Sequence, residues 1–376
     1  MATLDEAAAQ EKAAQEKAAM RRAIALAAEA VGRTNPNPAV GAVVVDTTGS
    51  FIGEGATQPV GGPHAEIEAL RAAGSGARGA TLVVTLEPCR HTGRTPACTD
   101  AIVAAGVHRV VFAVADPHEV AAGGAEALRS VGVDVEGGVL AEEASADLGP
   151  WLVAVRRRRP HLTWKYAATL DGRTAAADGT SRWITGADAR TDVHRLRARS
   201  DAVLVGIGTV LADDTALTVR DWPTQRQPLR VVVDGKARTP LSARILDDAA
   251  PTLVAVGTDA DSERVSKLRA AGTEVLELPR HDGRLDLHAL LAELYEREAL
   301  QLLLEGGATL AGSFVRQRLV DKVVGYHAPA LLGAGPPVLA DAGVTTLAAA
   351  LRLHLHDVRQ LGDDVRVEAT VDREVG

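Results

Sequence analysis

The sequence predicts two α/β units in tandem, and three observations carry that expectation. The chain has 376 residues, whereas single domains usually run to about 100–200. Short apolar runs alternate with helical stretches, and the alternation restarts after the Arg-rich, proline-ended segment Arg156-Arg157-Arg158-Arg159-Pro160. With 46% hydrophobic and 24% charged residues, there is apolar mass for two cores.

Taken in order, Ala2 to Met20 is rich in Ala, Glu, Gln and Lys and reads as a solvated helical extension, residues 1–20, with no function assigned. A helix over Arg21–Val31 leads to the loop Thr34-Asn35-Pro36-Asn37-Pro38, and Ala39–Val45 reads as a strand. A turn and a second strand follow. Pro63-His64-Ala65-Glu66 then opens a helix that runs through Leu70, and Thr81–Leu86 is a third strand ending at Glu87-Pro88-Cys89. A helix from Cys98 to Ala105 precedes strands over Arg109–Ala115 and Val131–Val135. Strands interleaved with helices argue for a layered α/β sandwich over residues 21–155.

The charge run at 156–160 reads as a solvated linker, because such runs usually lie in water. A second domain is expected over 161–376. Its strands fall at Leu162–Ala167, Ala202–Val205, Leu229–Val233, Thr252–Val256 and Gln301–Leu304, with an Arg-rich helix over Ala187–Arg199 and another after Gly307. The last strands are not placed by pattern. No internal repeat is visible.

Lys and Arg number 41 against 49 Asp and Glu, a net charge of −8. That balance disfavours a broad grip on nucleic-acid phosphates, although a local Arg cluster can still hold a small anion. The two cysteines and the absence of an opening apolar signal point to a reducing, cytoplasmic setting. No apolar run approaches the ~18 residues needed to span a bilayer.

The two cysteines carry chemical information. Catalytic zinc takes three protein ligands and leaves one position for water, whose pKa it lowers to about 7. Zinc deaminases combine His-x-Glu with two later cysteines, and the Glu moves protons without ligating. Here His64-Ala65-Glu66 opens a helix, while Cys89 and Cys98 stand where the remaining ligands belong. Helix starts also favour thiolate over thiol. Such tripeptides are common, and it is the placement of both cysteines that makes the set informative. A purely structural zinc would want four protein ligands; zinc removal would unfold such a module but mainly stop ammonia release in an enzyme.

In the second half, Val205-Gly206-Ile207-Gly208-Thr209 follows a strand, but Leu211 stands where a dinucleotide fingerprint needs its third glycine, so a Rossmann reading fails. Glu305-Gly306-Gly307-Ala308-Thr309 also follows a strand and opens a helix, a place where free N–H groups suit phosphate.

The longer spacing Pro88-Cys89-Arg90-His91-Thr92-Gly93-Arg94-Thr95-Pro96-Ala97-Cys98 resembles the deaminase half of the bifunctional riboflavin-biosynthesis deaminase/reductases, as do Pro36-Asn37-Pro38-Ala39-Val40-Gly41 and Thr85-Leu86-Glu87-Pro88-Cys89. Lys165 to Arg173, Ser181-Arg182-Trp183-Ile184-Thr185, His194-Arg195-Leu196-Arg197, Gly208 to Asp214 and Leu217 to Arg220 are similar to the reductase half. The chain departs from the family pattern at Thr57, Arg90, His118 and Thr215.

The resemblance implies a cytidine-deaminase-like α/β/α sandwich followed by a dihydrofolate-reductase-like α/β domain. It implies Zn2+ on His64, Cys89 and Cys98, Glu66 as proton carrier, and NADPH as reductant. Ala167, Trp183, Thr209, Asp213, Gly235 and the run Gly307, Ala308, Thr309, Leu310, Ala311, Gly312 and Ser313 are the implied NADPH contacts. Asp213 is also a catalytic candidate. Substrate contacts are implied for Asn37, His91, Lys165, Ser181, Arg197, Leu217, Arg220 and Glu305. His91 would then be a pocket residue, since a fourth protein ligand would close the site to water. The expected substrates are phosphorylated pyrimidines, with no nucleic-acid or membrane partner, and a homo-oligomer (dimer or larger) is expected. The alternatives are a chain with only the reductase active and a nucleic-acid deaminase, the latter disfavoured by the acidic balance.

Overall fold

The computed structural model describes residues 2–91, 96–118 and 121–371. The chain divides into two compact units, Met1–Arg158 and Arg159–Gly376. No helix among the described residues is long and apolar enough to cross a membrane.

The first unit runs α1 (Ala2–Ala30), β1 (Gly41–Val45), β2 (Phe51–Ala56), α2 (Ala65–Ala73), β3 (Thr81–Leu86), α3 (Cys98–Ala105), β4 (Arg109–Val114), α4 (Gly124–Ser130), β5 (Asp134–Gly137) and α5 (Ala141–Arg157). Its five strands lie in the order β2-β1-β3-β4-β5. The first is antiparallel to both neighbours, while β3, β4 and β5 are parallel. Strands β1 and β4 are buried along their whole length, as expected of strands covered on both faces.

Glycines fix which helix covers which face. A Cβ on Gly41 would lie 1.9 Å from the Ala23 carbonyl oxygen, so α1 sits directly on β1. Gly53 and Gly55 do the same for α2, where added Cβ atoms would meet the carbonyl oxygens of Ala69 at 2.2 Å and Ala65 at 2.5 Å. Register pairs Gly41 with Ala56 but Ala42 with Gly55. Because side chains alternate faces along a strand, α1 and α2 occupy opposite sides of the sheet. This is an α/β/α sandwich.

The second unit runs β6 (His161–Thr169), α6 (Ala187–Ala198), β7 (Ala202–Gly206), α7 (Ile207–Asp213), β8 (Leu229–Val233), β9 (Thr252–Gly257), α8 (Ser262–Ala270) and β10 (Glu274–Leu278). It continues through a small hairpin of β11 (Arg280–His281) and β12 (Arg284–Leu285), then α9 (Leu287–Glu296), β13 (Gln301–Leu304), α10 (Ala308–Arg316), β14 (Lys322–Ala328), β15 (Leu353–Leu361) and β16 (Asp364–Val371). Nine strands form one sheet, β10-β9-β8-β7-β13-β6-β14-β16-β15. Seven are parallel, and the last two pair antiparallel.

Alternation again divides the cores. Ala202, Leu204, Val231, Leu253, Leu302 and Leu304 face the cluster built by α9 and α10. Val203, Val205, Val232, Val254 and Leu303 face the other, with Val210 of α7 and with Val265 and Leu268 of α8.

Several expectations change. The stretch expected as a solvated extension is continuous with the first helix, and Glu16, Ala19 and Met20 are buried. Glu16 is held there by Arg109 at 2.7 Å, across 93 residues of sequence. The last strand of the first unit begins at Asp134 instead of Val131. The Arg run is exposed through Arg158, but Arg156 and Arg157 finish α5 and are not linker. Arg159 is not solvated either: both its terminal nitrogens donate to Asp321, at 2.8 and 2.7 Å.

Candidate active sites: a metal centre and an elongated cavity

Two helix starts and one strand exit converge in the first unit. His64 is the residue capping α2, in extended backbone conformation. Glu66 lies in the first turn of the same helix, and Cys98 is the first residue of α3. Cys89 lies three residues beyond β3. Cys98 Sγ is 3.2 Å from His64 Nδ1, and Cys89 Sγ is 3.7 Å from it. One ligand atom from each of the three residues falls within 4.8 Å of the others, the sole such cluster among the described residues.

The Cys89 segment is fixed by a residue whose role the sequence did not reveal. The buried Glu87 carboxylate accepts from the backbone N–H of Asp116 at 3.2 Å and of Ala125 at 2.9 Å. The Thr99 N–H, at the start of α3, donates to the Cys89 carbonyl. Gly124 lets α4 close on this strand exit, since a Cβ there would sit 1.8 Å from the Pro88 carbonyl oxygen.

The electrostatics fit a cation. A hydrogen bond from the Cys98 thiol holds Cys89 down to about 4, against the cost of burial, and His64 adds to the effect. Its partner Cys98 is pushed up by that same shared proton and by burial. His64 is raised by its hydrogen bond to Cys89. A tetrahedral zinc with bonds of about 2.0–2.3 Å would set its ligand atoms roughly 3.5 Å apart, matching the observed nitrogen–sulfur separations. Glu66 is 4% exposed, and burial raises its pKa above the ordinary carboxylate value. It stands beside the cluster as an acid able to hold a proton.

Around this centre, His91 is half-buried, and among the described residues its Nδ1 is a buried atom with no hydrogen-bond partner. That suits a pocket residue awaiting a ligand. Thr92 to Thr95, which the resemblance places in the same loop, lie outside the described residues. Asn37 is carried on a loop fixed by Thr34 and by the Trp151 indole, which donates to the Pro36 carbonyl at 3.2 Å. Of the departures from the family pattern, Thr57 is buried and its hydroxyl oxygen accepts from the Val40 N–H at 3.1 Å. The His118 carbonyl receives the N–H groups of Ala121 and Ala122, and the Arg90 N–H donates to Ala121.

In the second unit the parallel strands part company between β7 and β13: from β7 the chain moves outward to β8, and from β13 it crosses to β14. Ligands bind outside the carboxyl ends of strands at such a switch point. A cavity of about 1010 Å³ opens there, at the upper end of the usual range of about 300–1,000 Å³ for ligand pockets. Lys165, Ala167, Ser181, Thr209, Asp213, Gly235, Glu305, Gly307, Ala308, Thr309, Leu310 and Ser313 all line it.

At its inner end is a buried ion cluster. Glu305 accepts from Arg197 Nε and Nη2, at 2.5 and 3.0 Å, with Lys165 Nζ at 3.6 Å. Burial opposes ionisation, yet the two cations hold Glu305 down to about 2. Burial pushes Lys165 below the usual lysine value, with Glu305 opposing. Arg197 also donates to the Thr218 carbonyl at 3.0 Å, and Arg220 reaches the Thr218 hydroxyl at 3.1 Å. Arg197, Leu217, Arg220 and Glu305 therefore belong to one neighbourhood, although Arg197, Leu217 and Arg220 do not line the cavity wall.

Three expected cofactor contacts are not among the residues lining the cavity. Trp183 is 71% exposed, with the Arg190 guanidinium 4.6 Å from its ring centroid. Ala311 is fully buried in the core. Gly312 faces the Asp341 backbone, whose carbonyl oxygen would be 2.8 Å from a Cβ there. A helix turns about 100° per residue, so a continuous run through α10 cannot all face one cavity. Conversely, Lys236, Arg238, Arg280 and Arg284 line the cavity and were not anticipated. Their signal was cations interleaved with glycine after β8 and around the β11–β12 turn.

Comparison with known proteins agrees with both halves. Residues 13–114 match the cytidine and deoxycytidylate deaminase zinc-binding region, and residues 160–367 match the RibD C-terminal domain. The riboflavin biosynthesis protein RibD of Mycobacterium tuberculosis is 45% identical over 338 residues, covering 89% of this chain and 91% of that protein. RibD of Escherichia coli K12 is 42% identical over 346 residues, covering 88% and 93%. Among solved structures, Acinetobacter baumannii RibD has a TM-score of 0.85 at 39% identity, covering 96% of this chain and all of that one. The diaminohydroxyphosphoribosylaminopyrimidine deaminase/5-amino-6-(5-phosphoribosylamino)uracil reductase of Thermotoga maritima has a TM-score of 0.85 at 35% identity, with the same coverage. The chain belongs to the RibD family of bifunctional riboflavin-biosynthesis deaminase/reductases.

Proposed function

We propose that the first unit hydrolytically deaminates 2,5-diamino-6-ribosylamino-4(3H)-pyrimidinone 5′-phosphate, and that the second reduces the ribose of the deaminated product to a ribityl chain with NADPH. The observation that carries the reading is the set of three ligands, one short of a closed tetrahedron, with a buried carboxylic acid beside it. His64, Cys89 and Cys98 would hold a zinc ion, which when bound supplies a Lewis acid that lowers the pKa of water to about 7.

Deamination adds water across the ring C=N bond and expels ammonia, so the two protons of water must reach the ring nitrogen and the leaving amine. Glu66 Oε is the carrier: its burial favours the protonated form, and the start of α2 fixes it next to the ligand His64. Asn37 and His91 would orient the pyrimidine.

In the second unit, the cavity walls around Thr209 and the start of α10 would hold NADPH, which when bound would supply a hydride for reduction of the opened ribose. Lys165, buried and 3.6 Å from Glu305, would hold a proton for the sugar nitrogen or oxygen. Glu305 fixes Lys165 and Arg197. Arg220 would suit the sugar phosphate, because the guanidinium fork matches phosphate oxygens, whereas the Arg197 fork is taken by Glu305. Asp213 and Ser181, on the cavity wall, would contact the reacting end.

The test incubates purified protein with the diaminopyrimidine phosphate, with and without NADPH, following ammonia and NADPH separately. Ammonia is expected in both arms, and NADPH oxidation only after deamination. Absence of ammonia from zinc-replete protein overturns the first activity. Ammonia without NADPH oxidation removes the second.

A further inference from the structure

We propose that the second unit carries an effector site behind the reductase cavity, taking one uncharged, mostly apolar molecule that bears a hydrogen-bond acceptor. The site is a separate cavity of about 400 Å³. That is within the usual range of about 300–1,000 Å³ for ligand pockets, and roomier than the about 150 Å³ that holds a benzene ring. Its floor is core: Trp164 of β6, Val315 of α10, Val320 and Val323 are all buried. Its roof is the chain between β14 and β15, ending on Leu353.

Two properties define the guest. Every lining residue except Asp341 is apolar, and the Asp341 carboxylate is paired with Arg316, so a charged guest would lose its hydration without gaining a partner. The other property is an unmet donor. Trp164 is 6% exposed, and its indole N–H is buried with no acceptor among the described residues. Buried tryptophan N–H groups usually find a partner, and a lone one is destabilising. The backbone of β6 is paired along both edges, to β13 and β14, and the Tyr166 ring covers one side of the indole at a centroid distance of 5.0 Å. The cavity is the space left for an acceptor.

A wall shared with the reductase cavity gives occupancy a consequence. Three stretches of chain contribute to both spaces. In β6, Tyr166 lines the larger cavity and Trp164 the smaller; in α10, Ser313 and Val315 divide in the same way, as do Val338 and Leu339 beyond β14. The Trp164 and Tyr166 rings rest on each other, tilted by 43°. A guest bonded to the Trp164 indole therefore fixes the partition that Tyr166 presents to the larger cavity. This link, unlike the smaller cavity itself, rests on the reading of the larger one as the NADPH site.

The experiment titrates full-length protein, isotope-labelled at its tryptophan indole nitrogens, with acetophenone and with cumene, which has a similar shape without the oxygen. By NMR, acetophenone should move one indole proton downfield in a saturable way, cumene should not, and Trp164→Phe should remove that signal. By calorimetry, Trp164→Phe should weaken acetophenone roughly 10-fold, the scale of one buried donor left unpaired, and cumene by less than about 3-fold. Ala350→Phe, which adds a ring at the lining, should abolish binding of both and keeps the test decisive if Trp164→Phe fails to fold. Saturating acetophenone should change NADPH affinity at least about 5-fold, the low end of usual allosteric couplings, and have no effect on NADPH in Ala350→Phe. A Trp164 indole proton that does not move, or equal acetophenone affinity in wild type and Trp164→Phe, overturns the site. A bound guest with unchanged NADPH affinity overturns the effector role. If wild-type protein binds no NADPH, the reading of the larger cavity has failed, while the indole shift still decides the smaller one.

Discussion

Replacing Glu305 by Gln tests how the reductase cavity is held together. The carboxylate and the Arg197 side chain are only 8% and 11% exposed and meet through two hydrogen bonds. Gln keeps the shape but leaves Arg197 buried beside Lys165 without a counter-charge. Removing one partner of a buried pair typically costs about 3–5 kcal/mol. The acid's displacement gives an independent figure. From an ordinary 4.5 to about 2, at about 1.36 kcal/mol per pKa unit, the native environment favours the carboxylate by about 3 kcal/mol. The sign follows from linkage: a depressed carboxylate stabilises the fold above its unfolded pKa, and the contribution fades as pH falls toward the folded one. By pH 3.5 about 1 kcal/mol of it should be gone. Urea unfolding followed by tryptophan fluorescence reads this unit, which holds Trp164, Trp183 and Trp222. Glu305→Gln should lose about 3 kcal/mol at pH 7, with a smaller gap from wild type at pH 3.5. A loss below about 0.5 kcal/mol at pH 7, or a gap that does not narrow with acid, would refute the argument.

Glu66→Gln should cut ammonia release by at least about 10²-fold, the low end for a lost general acid–base, while zinc content by mass spectrometry and reduction of preformed deaminated substrate stay unchanged; loss of metal would make Glu66 a ligand instead. Gly53→Val should push α2 off β2, because even its Cβ would lie 2.2 Å from the Ala69 carbonyl oxygen. Overpacking costs about 1–3 kcal/mol, so ammonia release should fall together with the stability of the first unit, and an unaltered rate would contradict the placement of His64 and Glu66 by that contact. Arg109→Met removes the cation that binds Glu16 at 2.7 Å along with Asp134 and Glu136. It should destabilise the first unit by about 3 kcal/mol in denaturant titration, and a change within about 0.5 kcal/mol would show that Arg109 does not anchor α1 through Glu16.

Local pattern reached most of the parallel strands. Thr81–Leu86, Leu229–Val233 and Gln301–Leu304 carry the expected bounds, because strands buried on both faces read as short apolar runs. The β15–β16 hairpin escaped for the opposite reason. Most of β15 is exposed, so no apolar alternation marks it. Residues 9–14 of α1 are exposed, as a solvated helix requires, but the burial of Glu16 was not legible because it depends on one partner, Arg109, far along the chain.

The sequence by itself determined the chemistry of the metal centre. His64, Glu66, Cys89 and Cys98 are residue types with few other uses in that spacing, and helix starts place three of the four. It also supplied the identity of Lys165 and Glu305, but not their relation. Only tertiary structure decided that Arg197, which the resemblance implied as a substrate contact, is buried on Glu305. The same holds for Glu87 as the bracket behind Cys89 and for Ala311 and Gly312, which are not among the residues lining the cavity. In each case the deciding quantity is which partner a charged or polar group meets once water is excluded. That depends on contacts across the sheet, which no local spacing encodes.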